Sequence, residues 1–241
     1  MQWHNTPAWG GYRWQAERYG DVGAMLARIH AGGLAIGANL HDADGVTRVA
    51  NPDTFDAFAT AVGAPADATE VPFAIGNKTY ADALQRVILA PLQAQGIDML
   101  WTDFQQGFPG VQGVRGLLPT ALLNHYRFHN ASAVRGTRGT QHSRYAGRGD
   151  HRHTSAFGGD VNQSWESLAF MIKFTATAAN TPLCWWGHEM MRSGAGVADN
   201  VELFTRVLQF GAWSPIFTTC TSDHTHDILL YCMGPIRCSC Q

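Results

Sequence analysis

Long hydrophobic runs are missing from this 241-residue chain. No apolar stretch approaches the roughly 20 residues that span a bilayer, so no membrane-crossing helix is expected. Cysteine is nearly absent from the body: Cys184 stands alone until Cys220, Cys232, Cys238 and Cys240 near the end. An odd count gives no disulfide framework. Charge of one sign is also lacking. The formal net charge is -2, with 15% charged residues, which removes the basic footprint of a nucleic-acid partner. No glycine-rich nucleotide fingerprint follows any apolar run, which argues against a dinucleotide-binding fold. No leader opens the chain, and MQWHNTPAWGGYRW enters directly with aromatics, as if within a domain. What is abundant is apolar residue (45%), with eleven His and eight Trp. That composition is globular and large enough for one substantial core. Tryptophan offers a flat face for stacking on sugars or bases, and serves core packing equally well.

The chain alternates between two periods. DVGAMLARIHAGG (21–33) spaces Val22, Met25, Leu26 and Ile29 as a helix with a glycine stop, and LAIGANL (34–40) follows as a buried strand. DTFDAFATAVG is a short helix. YADALQRVILAPLQAQG (80–96) is helical, with Pro91 expected to break or kink it. IDMLWTD is the next strand and LLPTALLNHYRFHN (117–130) the next helix. HSRYAG (142–147) is a poor strand, placed only because the alternation requires one. AFGGD (156–160) is a strand end or turn. QSWESLAFMIKFTATAAN (163–180) is a helix capped by Ser164, PLCWWGHE (182–189) a strand, and NVELFTRVLQFGAWS (200–214) a helix and its exit. Such alternation predicts parallel α/β units. In a (β/α) barrel, chemistry collects at the C-terminal strand ends. The polar residues there are Asn39 with His41, Asp103, Arg144, Asp160 and His188.

Two carboxylates stand out. Asp103 ends an apolar strand, where an ionised group is costly unless something uses or pairs it. Asp160 follows another strand. Two carboxylates converging on one pocket suit glycoside hydrolysis, one attacking the anomeric carbon and the other protonating the leaving oxygen. An aspartate after a strand is, however, most often a loop residue or a helix N-cap, and Asp160 stands four residues before a helix.

WTDFQQG (101–107) and RYAGRGDHRHTSAFGGDVNQSWESLAF together resemble glycoside hydrolase family 31, the retaining α-glycosidases. The likeness is to a branch with an Asp-Trp-Gln-Gln-Gly motif at the nucleophile. It runs from QWHNTPAWGGYRW through GLAIGANLHDADGV to QFGAWSPI, roughly residues 1–216, with several motifs in family order. The resemblance implies a (β/α)8 barrel, incomplete at both ends, followed by an anomalous cysteine-rich tail over 217–241. It implies Asp103 as nucleophile, Asp160 as general acid/base, and Arg144 and His188 as sugar-positioning residues. Trp101 and Trp186 would line the pocket, with His41 and Asp44 near its mouth. The implied partner is an α-glycoside, and neither metal nor organic cofactor is required.

The chain departs from the family pattern at named places. Gln2 stands where an acid is expected, Glu189 where the family has Asp, Met190 and Met191 replace Ile-Gly, and Cys220 falls at a histidine position. A thiol does not reproduce an imidazole's hydrogen bonding. These departures leave an alternative of a different class: a non-catalytic remnant that binds carbohydrate weakly or not at all. His125 and His129, at i and i+4, are read as a surface helix rather than zinc ligands, and His151 and His153 as loop residues. The cysteine and histidine spacing of the tail matches no standard metal site.

Overall fold

A computed structural model of the protein describes residues 10–104, 114–136, 138–145, 147, 149–152, 155–190 and 200–219. The departures at Gln2, Met191 and Cys220, together with His153 and the rest of the tail, lie outside the described residues. The chain divides into two compact units after Ala156.

The first unit begins with helices α1 (Ala16–Tyr19) and α2 (Val22–Ala31). The Asp21 side chain caps α2 by accepting from the Ala24 amide at 2.9 Å. Strand β1 (Gly37–Leu40) leads into one 3-10 turn (Asp42–Asp44) and β2 (Val46–Thr47). Helix α3 (Phe55–Val62) follows and ends on Gly63, whose φ of 74° is the left-handed closure that glycine adopts without strain. Strand β3 (Glu70–Val71) pairs antiparallel with β2. Helix α4 (Lys78–Ala83) then runs through a π-helical stretch (Leu84–Leu89) into α5 (Ala90–Ala94). Pro91 was expected to break or kink this helix. There the chain stays helical but leaves the α form, widening to π just ahead of the proline, which has no amide hydrogen to give and whose ring crowds the preceding turn. Strand β4 (Met99–Thr102), helix α6 (Pro119–Arg135), β5 (Gln141–Arg144) and a 3-10 turn (Asp150–Arg152) complete the unit.

Strands β1, β4 and β5 are parallel, with Asn39 opposite Trp101 and Trp101 opposite His142. Their faces differ in chemistry. Ala38 and Leu40 of β1 and Leu100 of β4 join one apolar core with Phe55, Phe58, Tyr80 and Leu84 from the helices. By the two-residue period of a strand, Asn39, Trp101, Asp103, His142 and Arg144 share the opposite face. That face is buried and polar, as the inner wall at the C-terminal end of a barrel is when it carries a site.

Strand β6 (Ser155–Phe157) crosses the division between the units. In the second unit, α7 (Trp165–Ala178) is capped by Ser164, which accepts from the Ser167 amide at 3.1 Å. Strand β7 (Trp186–Met190), helix α8 (Val201–Ala212) and β8 (Ile216–Thr219) follow. Leu168 and Met171 of α7 pack with Leu203, Phe204 and Val207 of α8. Phe217 to Thr219, placed from sequence at the start of the cysteine-rich tail, continue from Ile216 as a strand parallel to β7, with Gly187 opposite Ile216 and Met190 opposite Thr219.

Candidate active site

Asp103 is only 4% exposed. Its amide donates to the Leu40 carbonyl at 3.0 Å, extending the β1–β4 ladder by one step and fixing where the carboxylate points. Asn39 Nδ2 donates to Oδ2 at 2.9 Å and Arg144 Nη1 to Oδ1 at 3.0 Å, while His41 Nε2 lies 3.3 Å from Oδ2. Burial alone raises a carboxyl's proton affinity. Here it is outweighed by the hydrogen bonds from His41 and Asn39 and by the positive charge of His41 and Arg144, so the Asp103 carboxyl sits below its ordinary range. Each oxygen carries a donor, and the group is held ionised with its plane fixed.

Three strand ends supply this cluster. Asn39 belongs to β1 and His41 to the residue just beyond it. The Ala43 amide donates to the Phe104 carbonyl at 2.9 Å, so the loops after β1 and β4 are joined backbone to backbone. The His41 ring packs beside Phe104, with centroids 5.8 Å apart. Arg144 ends β5 and lies over the Tyr145 ring at 5.1 Å. Tyr145 has φ 58°, a left-handed conformation that costs a bulky residue energy and recurs at functional sites. Trp101 and His142 meet edge to face at 5.4 Å beneath Asp103. His142 Nδ1 is 3.0 Å from Ser155 Oγ, and burial pushes this imidazole down to about 4, with the Asp103 charge pulling the other way.

Of the residues singled out in the sequence, Asp103, Arg144, His41 and Trp101 therefore come together. Asp44 is exposed, and burial raises its carboxyl while His41 lowers it. The buried aspartate of HDADG is Asp42, which sequence reasoning passed over. Asp160 is exposed and follows β6 through the Gly158–Gly159 turn, where the Gly158 amide donates to the Gly187 carbonyl at 3.2 Å. A side chain at Gly158 would meet His188 Nδ1 at 2.8 Å.

His188 and Trp186 were expected in the sugar pocket. Both instead face the helices of the second unit. Trp186 Nε1 donates to His188 Nε2 at 3.1 Å, Thr175 Oγ1 lies 3.1 Å from the same nitrogen, and Phe174 packs on Trp186 at 4.7 Å. Burial pushes His188 down to about 4. Strand alternation sends the intervening Gly187 and the following Glu189 to the other face, and Glu189 is buried there at 2% exposure. Glu189 is thus the residue of WGHEM on the face away from the helices. The sequence signal was available, since two positions separated by one share a face.

His125 and His129 are exposed on α6 with rings 4.5 Å apart, as a surface face predicts, and His151 is exposed. Among the described residues, no group of three or more His, Cys, Asp or Glu is placed to hold a metal ion. Nor, among those residues, is any helix long and apolar enough to cross a membrane.

The family model for the glycosyl hydrolases family 31 TIM-barrel domain matches residues 1–236. The chain belongs to this family. Its fold is that family's α/β barrel domain, in incomplete form. No curated protein matches the chain. Among solved structures, it resembles a family-31 α-xylosidase from a soil metagenome complexed with xylose (TM-score 0.68, 13% identity), covering 91% of this chain and 36% of that one. A xylosidase from Aspergillus niger gives a TM-score of 0.68 at 16% identity, over 92% of this chain and 39% of that one. A cycloalternan-degrading enzyme from Trueperella pyogenes in complex with isomaltose gives 0.63 at 16% identity, over 86% and 33%. At these identities the likeness concerns the fold. The chain spans between a third and two fifths of the length of these three family-31 relatives.

Proposed function

We propose that this chain carries the catalytic barrel of a glycosidase that cleaves α-O-glycosidic bonds with retention. The observation that supports this most directly is Asp103, a buried carboxylate at a strand end, kept ionised by Asn39, His41 and Arg144. A nucleophile that attacks an anomeric carbon has to be unprotonated and rigidly aimed. In the proposed cycle an Asp103 oxygen bonds to the anomeric carbon while Asp160 gives its proton to the departing oxygen. Water then attacks the glycosyl ester, Asp160 takes the water's proton, and Asp103 leaves as carboxylate. Arg144 fixes the carboxylate and offers its fork to sugar hydroxyls. Trp101 contributes an apolar wall. Neither a metal nor an organic cofactor enters the cycle.

Asp160 is exposed in the free protein, whereas an acid needs burial or a negative neighbour to hold its proton. A bound sugar covers it and supplies that desolvation. The same exposure favours the rival reading, a remnant that binds carbohydrate without turning it over.

Intact-mass measurement with activated fluoro-sugar traps separates the two. The panel starts from α-xylosyl and α-glucosyl donors, the sugars suggested by the xylose- and isomaltose-bound relatives. One added sugar mapping to Asp103 is the expected result. A cooperatively folded protein that takes no adduct from any member sinks the catalytic reading.

A further inference from the structure

Helix α6 turns a polar face inward. Arg127 is 2% exposed and Asn124 fully buried, three residues apart and so on the same side. Arg127 Nη1 donates to Thr102 Oγ1 and Nη2 to Asp42 Oδ1, both at 2.5 Å. Asp42 is fully buried and also accepts from the Tyr12 hydroxyl at 3.2 Å. Each partner of Arg127 is the chain neighbour of a residue in the carboxylate cluster: Thr102 precedes Asp103, and Asp42 follows His41. The two contacts lie on opposite faces of the same strand ends. On the helix side one guanidinium joins Thr102 to Asp42. On the inner side Asp103 meets His41.

We propose that Arg127 is a positioning residue for the nucleophile, a two-pronged staple from α6 that sets the β1 and β4 ends in the register that brings His41 onto Asp103. This rests on the assignment of Asp103 as nucleophile for its catalytic meaning, though not for its geometry.

The planar fork explains why arginine fills the position. A lysine reaches one partner at a time and leaves the other strand end loose. A merely structural ion pair would hold the helix down and leave the carboxylate's chemistry alone. A staple that sets register changes that chemistry when cut.

The groups facing Asp103 are Asn39 and His41 from β1 and its loop, and Arg144 and His142 from β5. Of these, His41 is the contact the staple secures. The test uses Thr102→Val, which keeps the buried Asp42–Arg127 pair and cuts only the β4 prong. A second variant, Arg127→Met with Asp42→Asn, removes the pair without stranding a charge.

The first readout is the titration of the Asp103 carboxyl by carbon NMR, with Asp103→Asn as the assignment control. It requires no turnover. The expected result is a rise in the Asp103 midpoint in both variants. The second readout is the rate of covalent labelling by the trap that reacts with the wild type. A fall of about 100-fold at saturating trap in the double variant, with little change in the trap's half-saturation, is expected from a misplaced nucleophile.

Cooperatively folded variants with an unmoved Asp103 midpoint overturn the positioning role, whatever the wild type's activity. A wild type that takes no label fails the functional reading alone, because the titration still decides on the staple.

Discussion

Asp103 costs the fold something by being buried and recovers it through three partners that favour its charged form. Replacing it with Asn keeps the shape and the Asn39 contact but removes the nucleophile. Asp103→Asn is expected to lose turnover and trap labelling altogether and to unfold about 3–5 kcal/mol less stably than wild type, since it leaves Arg144 buried without its counter-charge. Labelling retained by this variant would remove Asp103 from the role. Asp160→Ala is expected to slow substrates with poor leaving groups much more than activated ones, because only the former need a proton in the first step. Equal loss across leaving groups would take the acid role away from Asp160. At this scale the sequence exposed Asp103, Arg144 and His41, which stand beside apolar runs where a polar side chain is conspicuous. It hid Asp42 and Arg127, because the resemblance singled out His41 and Asp44 in HDADG, and HYRFH reads as a surface helix. Only the packing of α6 on the strand ends shows that one residue of each is buried. For His188, motif likeness gave a position on the strand but not a face, and alternation points its ring toward Thr175 and Phe174.

Helix α6 and strand β5 explain each other at the level of elements. QHSR made a poor strand because neither face is apolar. His142 and Arg144 line the inner wall, and Gln141 turns to α6, where its Nε2 donates to the Asn124 carbonyl at 3.1 Å and to Asn124 Oδ1 at 3.0 Å. Asn124 in turn donates to Asp150 Oδ1 at 3.1 Å, tying down the 3-10 turn beyond Arg144. A polar strand therefore packs on a polar helix face, and neither carries the hydrophobic period that sequence reading depends on. Asn124→Ala is expected to cost about 1–3 kcal/mol in urea unfolding, because Asp150 and Gln141 each lose a buried partner. A solvent-facing position would cost within about 0.5 kcal/mol, so a value that small would contradict the latch. Helices α3 and α8 were legible, since their apolar stripes supply the residues they bury, Phe55, Phe58 and Ala59 in one and Leu203, Phe204 and Val207 in the other, whereas α2 fully buries only Leu26 and α7 leaves Phe170 and Ile172 exposed. The π stretch before Pro91 was not, because the proline signals a break while leaving open how the chain absorbs it.

Among the described residues, each of the molecule's two units carries one buried histidine held neutral. His142 in the first and His188 in the second are buried and pushed down to about 4, against about 6.5 for an exposed imidazole. The sign follows from proton counting. Between those two values the unfolded chain binds the proton and the native chain does not, so stability rises with pH across that window and falls as acid is added. Asp103 behaves differently. Its folded value is depressed, so the stability it contributes is complete above the ordinary carboxyl range and is lost only as pH falls through that lower value. Acid therefore acts on the histidines first, from about pH 6.5 toward 4, and on Asp103 below that. For His142 the expected slope is about 1.4 kcal/mol per pH unit, one proton's worth. His142→Gln keeps a polar group near Ser155 and cannot titrate, so urea unfolding at pH 7, 6 and 5 should show its pH dependence reduced by about that amount. An unchanged slope would mean that His142 takes its proton inside the folded barrel, and that the inner wall beneath Asp103 is wetter than its burial implies.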